Sequence, residues 1–186
     1  MNGYTSTTIT AAGLAVAIAL IGNELYRWWK GGTGGAPAAA GGGGGGRNPK
    51  ALIPFGSGIG FGTLMVACPA GLLGTGAGFL RWGGNSFGDF LMRSFTGQTS
   101  TTIASGAAPA LDGNGALVVT AIVLLLILLR KAFAKVAKGK FWKGVLTGTL
   151  IGIGTGVFAV VGQLVIPSVN TLGAQLLGAV VNGVLV

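Results

Sequence analysis

Apolar residues along this chain gather into long uncharged blocks, separated by short polar, glycine-rich or basic stretches. The block lengths suit the thickness of a bilayer better than the period of strands or of half-buried surface helices. The first block, TITAAGLAVAIALIGNEL at residues 8–25, runs into YRWWK. Tyr26, Arg27, Trp28, Trp29 and Lys30 are the aromatic and basic anchors of a helix leaving a membrane, so residues 1–30 are predicted to form a first transmembrane helix. A secretory signal peptide is the alternative, disfavoured because no basic residue precedes the apolar run.

Residues 31–50, GGTGGAPAAAGGGGGGRNPK, carry too little side-chain surface to offset backbone ordering and are expected to be a flexible linker. The hexaglycine lacks the G-x-x-x-x-G-K-[ST] pattern of a phosphate loop. Residues 51–80 are again uncharged until Arg81, but Pro54, Pro69 and many glycines predict a kinked or re-entrant span rather than a straight one. Gly58 with Gly62, and Gly74 with Gly78, are spaced for close helix packing.

Residues 81–115 read as an extracytoplasmic loop holding a short interfacial helix, SFGDFLMRSF. Phe87, Phe90, Leu91 and Phe95 share one face of it, and Asp89 stands four residues before Arg93. Residues 116–166 read as a transmembrane hairpin around a basic turn. Beyond Pro167, residues 167–186 are expected to form a separate apolar helix, amphipathic or re-entrant, with Gln175 and Asn182 on one stripe. The predicted fold class is an all-α membrane protein of about four transmembrane helices with glycine-rich close packing.

Glycine is a poor helix former, so its recurrence at Gly144, Gly148, Gly152 and Gly156 needs a compensating cause. Within lipid, helices associate by close backbone approach, which overlapping GxxxG motifs permit. The partner is either a helix of the same chain, such as 116–138, or a neighbouring subunit. The 38 glycines among 186 residues point to self-assembly as a homo-oligomer.

Twelve Lys and Arg stand against Glu24, Asp89 and Asp112, a net charge of +9 that calls for an anionic partner. Six of the cations, Arg130, Lys131, Lys135, Lys138, Lys140 and Lys143, lie in RKAFAKVAKGKFWK, with Trp142 as a further interface anchor. They suit anionic lipid headgroups and, as a second possibility, nucleic acid held by backbone neutralisation. With four spans and the N-terminus outside, ten of the twelve cations fall on the cytoplasmic side. Glu24 is expected to pair with Arg27 at the membrane surface.

The chain has no histidine and one thiol, Cys68. That inventory removes Cys/His zinc sites, Ser-His-Asp and Cys-His nucleophiles and, with three acids, two-carboxylate chemistry. No catalytic residue, cofactor or metal site is expected, and the chain is not read as an enzyme.

The run ALVVTAIVLLLILLRKAFAKVAKGKFWKGVLTGTLIGIGTGVFAVV, residues 116–161, resembles the two-helix hairpin of conjugative type IV secretion pilins. That resemblance implies a helical filament with the basic loop facing lipid headgroups. In its span count, Gly/Ala-rich linkers and basic loop the whole chain is similar to small membrane proteins of actinobacterial conjugative plasmids and phages. This implies a part in moving DNA or virions across an envelope, at a bacterial inner membrane or in a virion or filament assembled from it. The expected function is a membrane subunit that assembles through glycine faces into a pore or conduit for DNA or another macromolecule, a phage holin being one version. The alternatives are a filament or shell subunit and a monomeric anchor or small transporter.

Overall fold

The computed structural model describes residues 8–31, 49–68, 71–105, 111–128, 139–152 and 159–182. Among them the chain is helical apart from a two-stranded ribbon. Strand β1 (Thr8–Thr10) leads into helix α1 (Ala11–Gly31). A 3-10 turn (Pro49–Leu52) opens α2 (Ile53–Val66), and α3 (Leu72–Thr96) is followed by β2 (Thr102–Ser105), which pairs antiparallel with β1. Then come α4 (Gly113–Leu128), α5 (Lys140–Ile151) and α6 (Ala159–Val181).

Several boundaries differ from the sequence reading. The segment 51–80 divides into α2 and the start of α3, because the chain leaves helical geometry at Ala67 and Cys68 just ahead of Pro69. The interfacial helix is the second half of α3, which Gly97 ends in a left-handed conformation (φ 70°). The expected loop over 81–115 contributes a strand and the cap of α4. In the other direction, Pro167 does not separate a C-terminal helix. It sits inside α6, where Ser168 and Thr171 hydroxyls donate to the Leu164 and Pro167 carbonyls at 2.6 and 2.9 Å.

Among the described residues one helix is long and apolar enough to cross a membrane, Gly162–Val181 within α6, and four spans are not established. Helices of 14 and 12 residues make α2 and α5 about 21 and 18 Å long, short of a hydrocarbon core of about 30 Å. Helix α4 packs on α6, and α5 packs on α2.

The six described helices form two related halves, α1–α3 and α4–α6. Gly58 lies against the Phe141 carbonyl, the Gly144 Cα and the Val145 amide, while Gly144 lies against the Phe55 carbonyl, the Gly58 Cα and the Ile59 amide. Phe55, Gly58 and Ile59 of α2 thus exchange with Phe141, Gly144 and Val145 of α5. At the other end of each half, the Gly13 amide donates to Thr10 Oγ1 at 3.1 Å and the Gly115 amide to Asp112 Oδ1 at 2.7 Å. Asn85 Oδ1 accepts from the Thr10 amide at 3.3 Å, as Asn170 Oδ1 accepts from the Asp112 amide at 3.4 Å. Gly88 rests on the Ala12 carbonyl and Gly173 on the Asn114 carbonyl. One device, an N-cap locked by an asparagine and a glycine from the third helix, therefore occurs twice.

Gly58 opposes Gly144, and Gly62 opposes Val145 and Thr149, so α2 and α5 run parallel. A two-fold axis that exchanges parallel helices lies along them, between the two glycine faces.

Candidate functional site: the glycine core and its buried charges

The α2/α5 seam is built by a short repeated string. GIGFGTLM at residues 58–65 and GVLTGTLI at 144–151 share both glycines and the Thr-Leu that follows. Any side chain at Gly58, Gly62, Gly144 or Gly148 would run into backbone of the facing helix, whereas Gly56 and Gly60 face open space. Those four glycines are therefore spent on contact within one chain, and the partner of the 144–148 face is α2 rather than residues 116–138. Thr63, Thr147 and Thr149 are fully buried beside the seam and donate to the Ile59, Lys143 and Leu146 carbonyls of their own helices. Such back-bonding satisfies a hydroxyl without a partner from outside the helix.

Two charges from the first half hold the ends of α5. The Glu24 side chain is only 2% exposed and stands 3.1 Å from Lys140 Nζ. Neither carboxylate oxygen accepts a hydrogen bond of good geometry, so Lys140 acts as a counter-charge, while its ammonium also reaches the Ala51 carbonyl at 3.4 Å. The expected Glu24–Arg27 pair is replaced by this longer-range one, because the Glu24 face of α1 packs on α5 and Arg27 faces outward. At the opposite end, buried Arg81 donates from Nε and Nη2 to the Thr149 carbonyl at 3.0 and 2.9 Å, and from Nη2 to the Gly152 carbonyl at 3.4 Å. Final-turn carbonyls lack intrahelical partners, and Arg81 satisfies two of them. An anion at the start of α5 and a cation at its end both complement the helix dipole.

The two-fold is broken at these charges. Counted from the matched glycines and asparagines, Leu126, Pro54 and Ile166 occupy the places of Glu24, Lys140 and Arg81. One half thus carries ionic contacts where the other is apolar.

The remaining predicted site residues are dispersed. Gly78 is buried and Gly74 half-buried on α3, and Gly152 ends α5 in non-helical backbone. Gly156, Arg130, Lys131, Lys135 and Lys138 lie outside the described residues. Lys143 is half-buried, and Gly139, with φ 77°, starts α5 in a conformation suited to glycine. Tyr26, Arg27, Trp29 and Trp142 are exposed and Trp28 half-buried; Lys30 Nζ lies 5.8 Å from the Tyr26 ring centre. Asp89 and Arg93 form the expected pair at 3.0 Å.

Asn85, Asn170, Arg81 and the Glu24–Lys140 contact were not singled out from the sequence. The signal that could have found the asparagines is the pair of strings NSFG (85–88) and NTLG (170–173), each following a GxxxGTL string by a similar interval. Among the described residues, no group of three His, Cys, Asp or Glu comes together to hold a metal. No protein-family model, curated protein or solved structure matches this chain, so fold and site geometry alone bear on what it does.

Proposed function

We propose that the chain is a non-enzymatic integral membrane protein, a compact anchor or small carrier whose glycine core closes within one polypeptide. The observation that carries this is a set of polar groups in the interior together with large apolar side chains on the surface. Glu24, Arg81, Asn85, Thr63, Thr147 and Thr149 are buried, whereas Phe79, Phe90, Leu125, Leu128, Leu164 and Val180 are exposed. In water that arrangement leaves large apolar surface uncovered, while in a bilayer it puts lipid against apolar side chains and polar groups against protein. The apolar stretch Gly162–Val181, of which 17% is buried within the protein, supports the same reading. Net charge +9 and the outward Arg27 favour anionic lipid as neighbour.

A pore or conduit is the second reading, favoured by the exposed aromatic row Phe79, Trp82, Phe87 and Phe90 on α3. Assembly would then use that outer face, because the glycine faces are occupied. Reconstitution into dye-loaded anionic vesicles separates the two. An anchor or carrier stays with the vesicles through an alkaline wash and leaves the dye inside; dye release turns the reading to a pore, and loss of the protein from the vesicles removes the membrane role.

A further inference from the structure

Helices α1 and α3 touch where Gly88 meets the Ala12 carbonyl, and along them lies an open groove of about 680 Å³. Its walls include Ala15, Val16, Ala19, Leu91 and Phe95, with Asn23 at the far end of the α1 side. The α1 stripe that lines it continues to Arg27 and Lys30, one and two turns past Asn23.

We propose that this groove holds an acyl chain of an anionic phospholipid, with the headgroup at Arg27; the inference rests on the membrane reading above. Length and charge select the occupant. The groove follows α1 from Ala11 to Asn23, about 18 Å at 1.5 Å per residue, about the reach of an extended acyl chain. The apolar walls exclude a charged occupant, and the cations beyond Asn23 complement a phosphate.

Two of these places differ in the related half of the molecule. The places of Ala15 and Asn23 are taken there by Leu117 and Leu125, counted from the matched Gly13 and Gly115.

Native mass spectrometry of the full chain in mild detergent tests this, with dioleoyl phosphatidylglycerol and dioleoyl phosphatidylcholine as probes. Wild type is expected to retain one phosphatidylglycerol per chain and at least fivefold less phosphatidylcholine. Ala15→Leu with Asn23→Leu, which copies the second half, should cut that retention at least tenfold while thermal unfolding stays unchanged. Arg27→Gln should keep a bound lipid and abolish the preference between headgroups. Undiminished retention in the groove-filling variant, or equal retention of both lipids by wild type as a loose lipid belt, would overturn the proposal. A chain that floats with vesicles yet holds no phosphatidylglycerol overturns the groove site alone; one that fails to float overturns the membrane reading as well.

Discussion

Glu24 and Lys140 stand 3.1 Å apart across the α1/α5 contact, and the positions related to them by the internal two-fold carry Leu126 and Pro54. One half thus carries an ion pair at places where the other has apolar side chains. Removing one member of a buried pair strands its partner, whereas replacing the buried charge by a hydrocarbon of similar volume need cost little. Lys140→Gln, which leaves Glu24 without a counter-charge, is expected to destabilise the protein by about 3 kcal/mol, the low end for buried pairs because Lys140 is 43% exposed. Glu24→Leu, copying Leu126, should be neutral or stabilising, and in its presence Lys140→Gln should lose most of its effect. Thermal unfolding in detergent measures all three, and additive effects in the double variant would show the two groups to be uncoupled.

Glycines on the seam and off it should respond oppositely to a single methyl group. Gly58→Ala and Gly144→Ala force backbone apart and are expected to cost about 1–3 kcal/mol each, or several degrees in Tm. Gly56→Ala and Gly60→Ala meet nothing within 4 Å and should stabilise by up to about 1 kcal/mol through helix propensity. Equal effects at the four sites would remove the seam as an organising contact.

The paired caps allow an internal comparison. Asn85 accepts from the Thr10 amide and hydroxyl and donates to the Thr8 carbonyl at 2.9 Å, while Asn170 accepts from the Asp112 amide. Asn85→Ala is expected to cost about 2 kcal/mol and Asn170→Ala about 1. Hydrogen exchange should quicken at the first turn of α1 in the former variant and of α4 in the latter. Exchange that changes in neither helix would mean that the asparagines do not hold these termini.

Arg81→Ile copies Ile166 but leaves the carbonyls of Thr149 and Gly152 without the guanidinium. The expected loss is about 2–3 kcal/mol, with faster amide exchange confined to the last turn of α5. Unchanged exchange there would exclude the capping role.

Helix-rich character and the close-packing role of glycine were legible because each depends on a local pattern. The Asp89–Arg93 pair was legible for the same reason, since i,i+4 spacing on a helix fixes the distance. What escaped was long-range. The sequence does not say that α2 is the partner of Gly144 and Gly148, because GxxxG faces are self-complementary and carry no address. Glu24 looked interfacial from its neighbours, and its burial depends on where α5 begins. Pro167 read as a stop, although α6 continues through it. The internal repeat was hidden by short motifs, GxxxGTL and NxxG, set among residues whose apolar character is shared but whose identity is not.

The Gly58/Gly144 seam closes within a single chain, and light scattering of the Gly144→Leu variant beside wild type, in the same mild detergent, is its decisive test. A seam inside one chain predicts that the substitution lowers Tm or unfolds the protein without converting a larger particle into folded single chains of 18.3 kDa. A wild-type assembly that falls apart into folded monomers on Gly144→Leu would place the glycine contact between subunits and contradict the architecture described above.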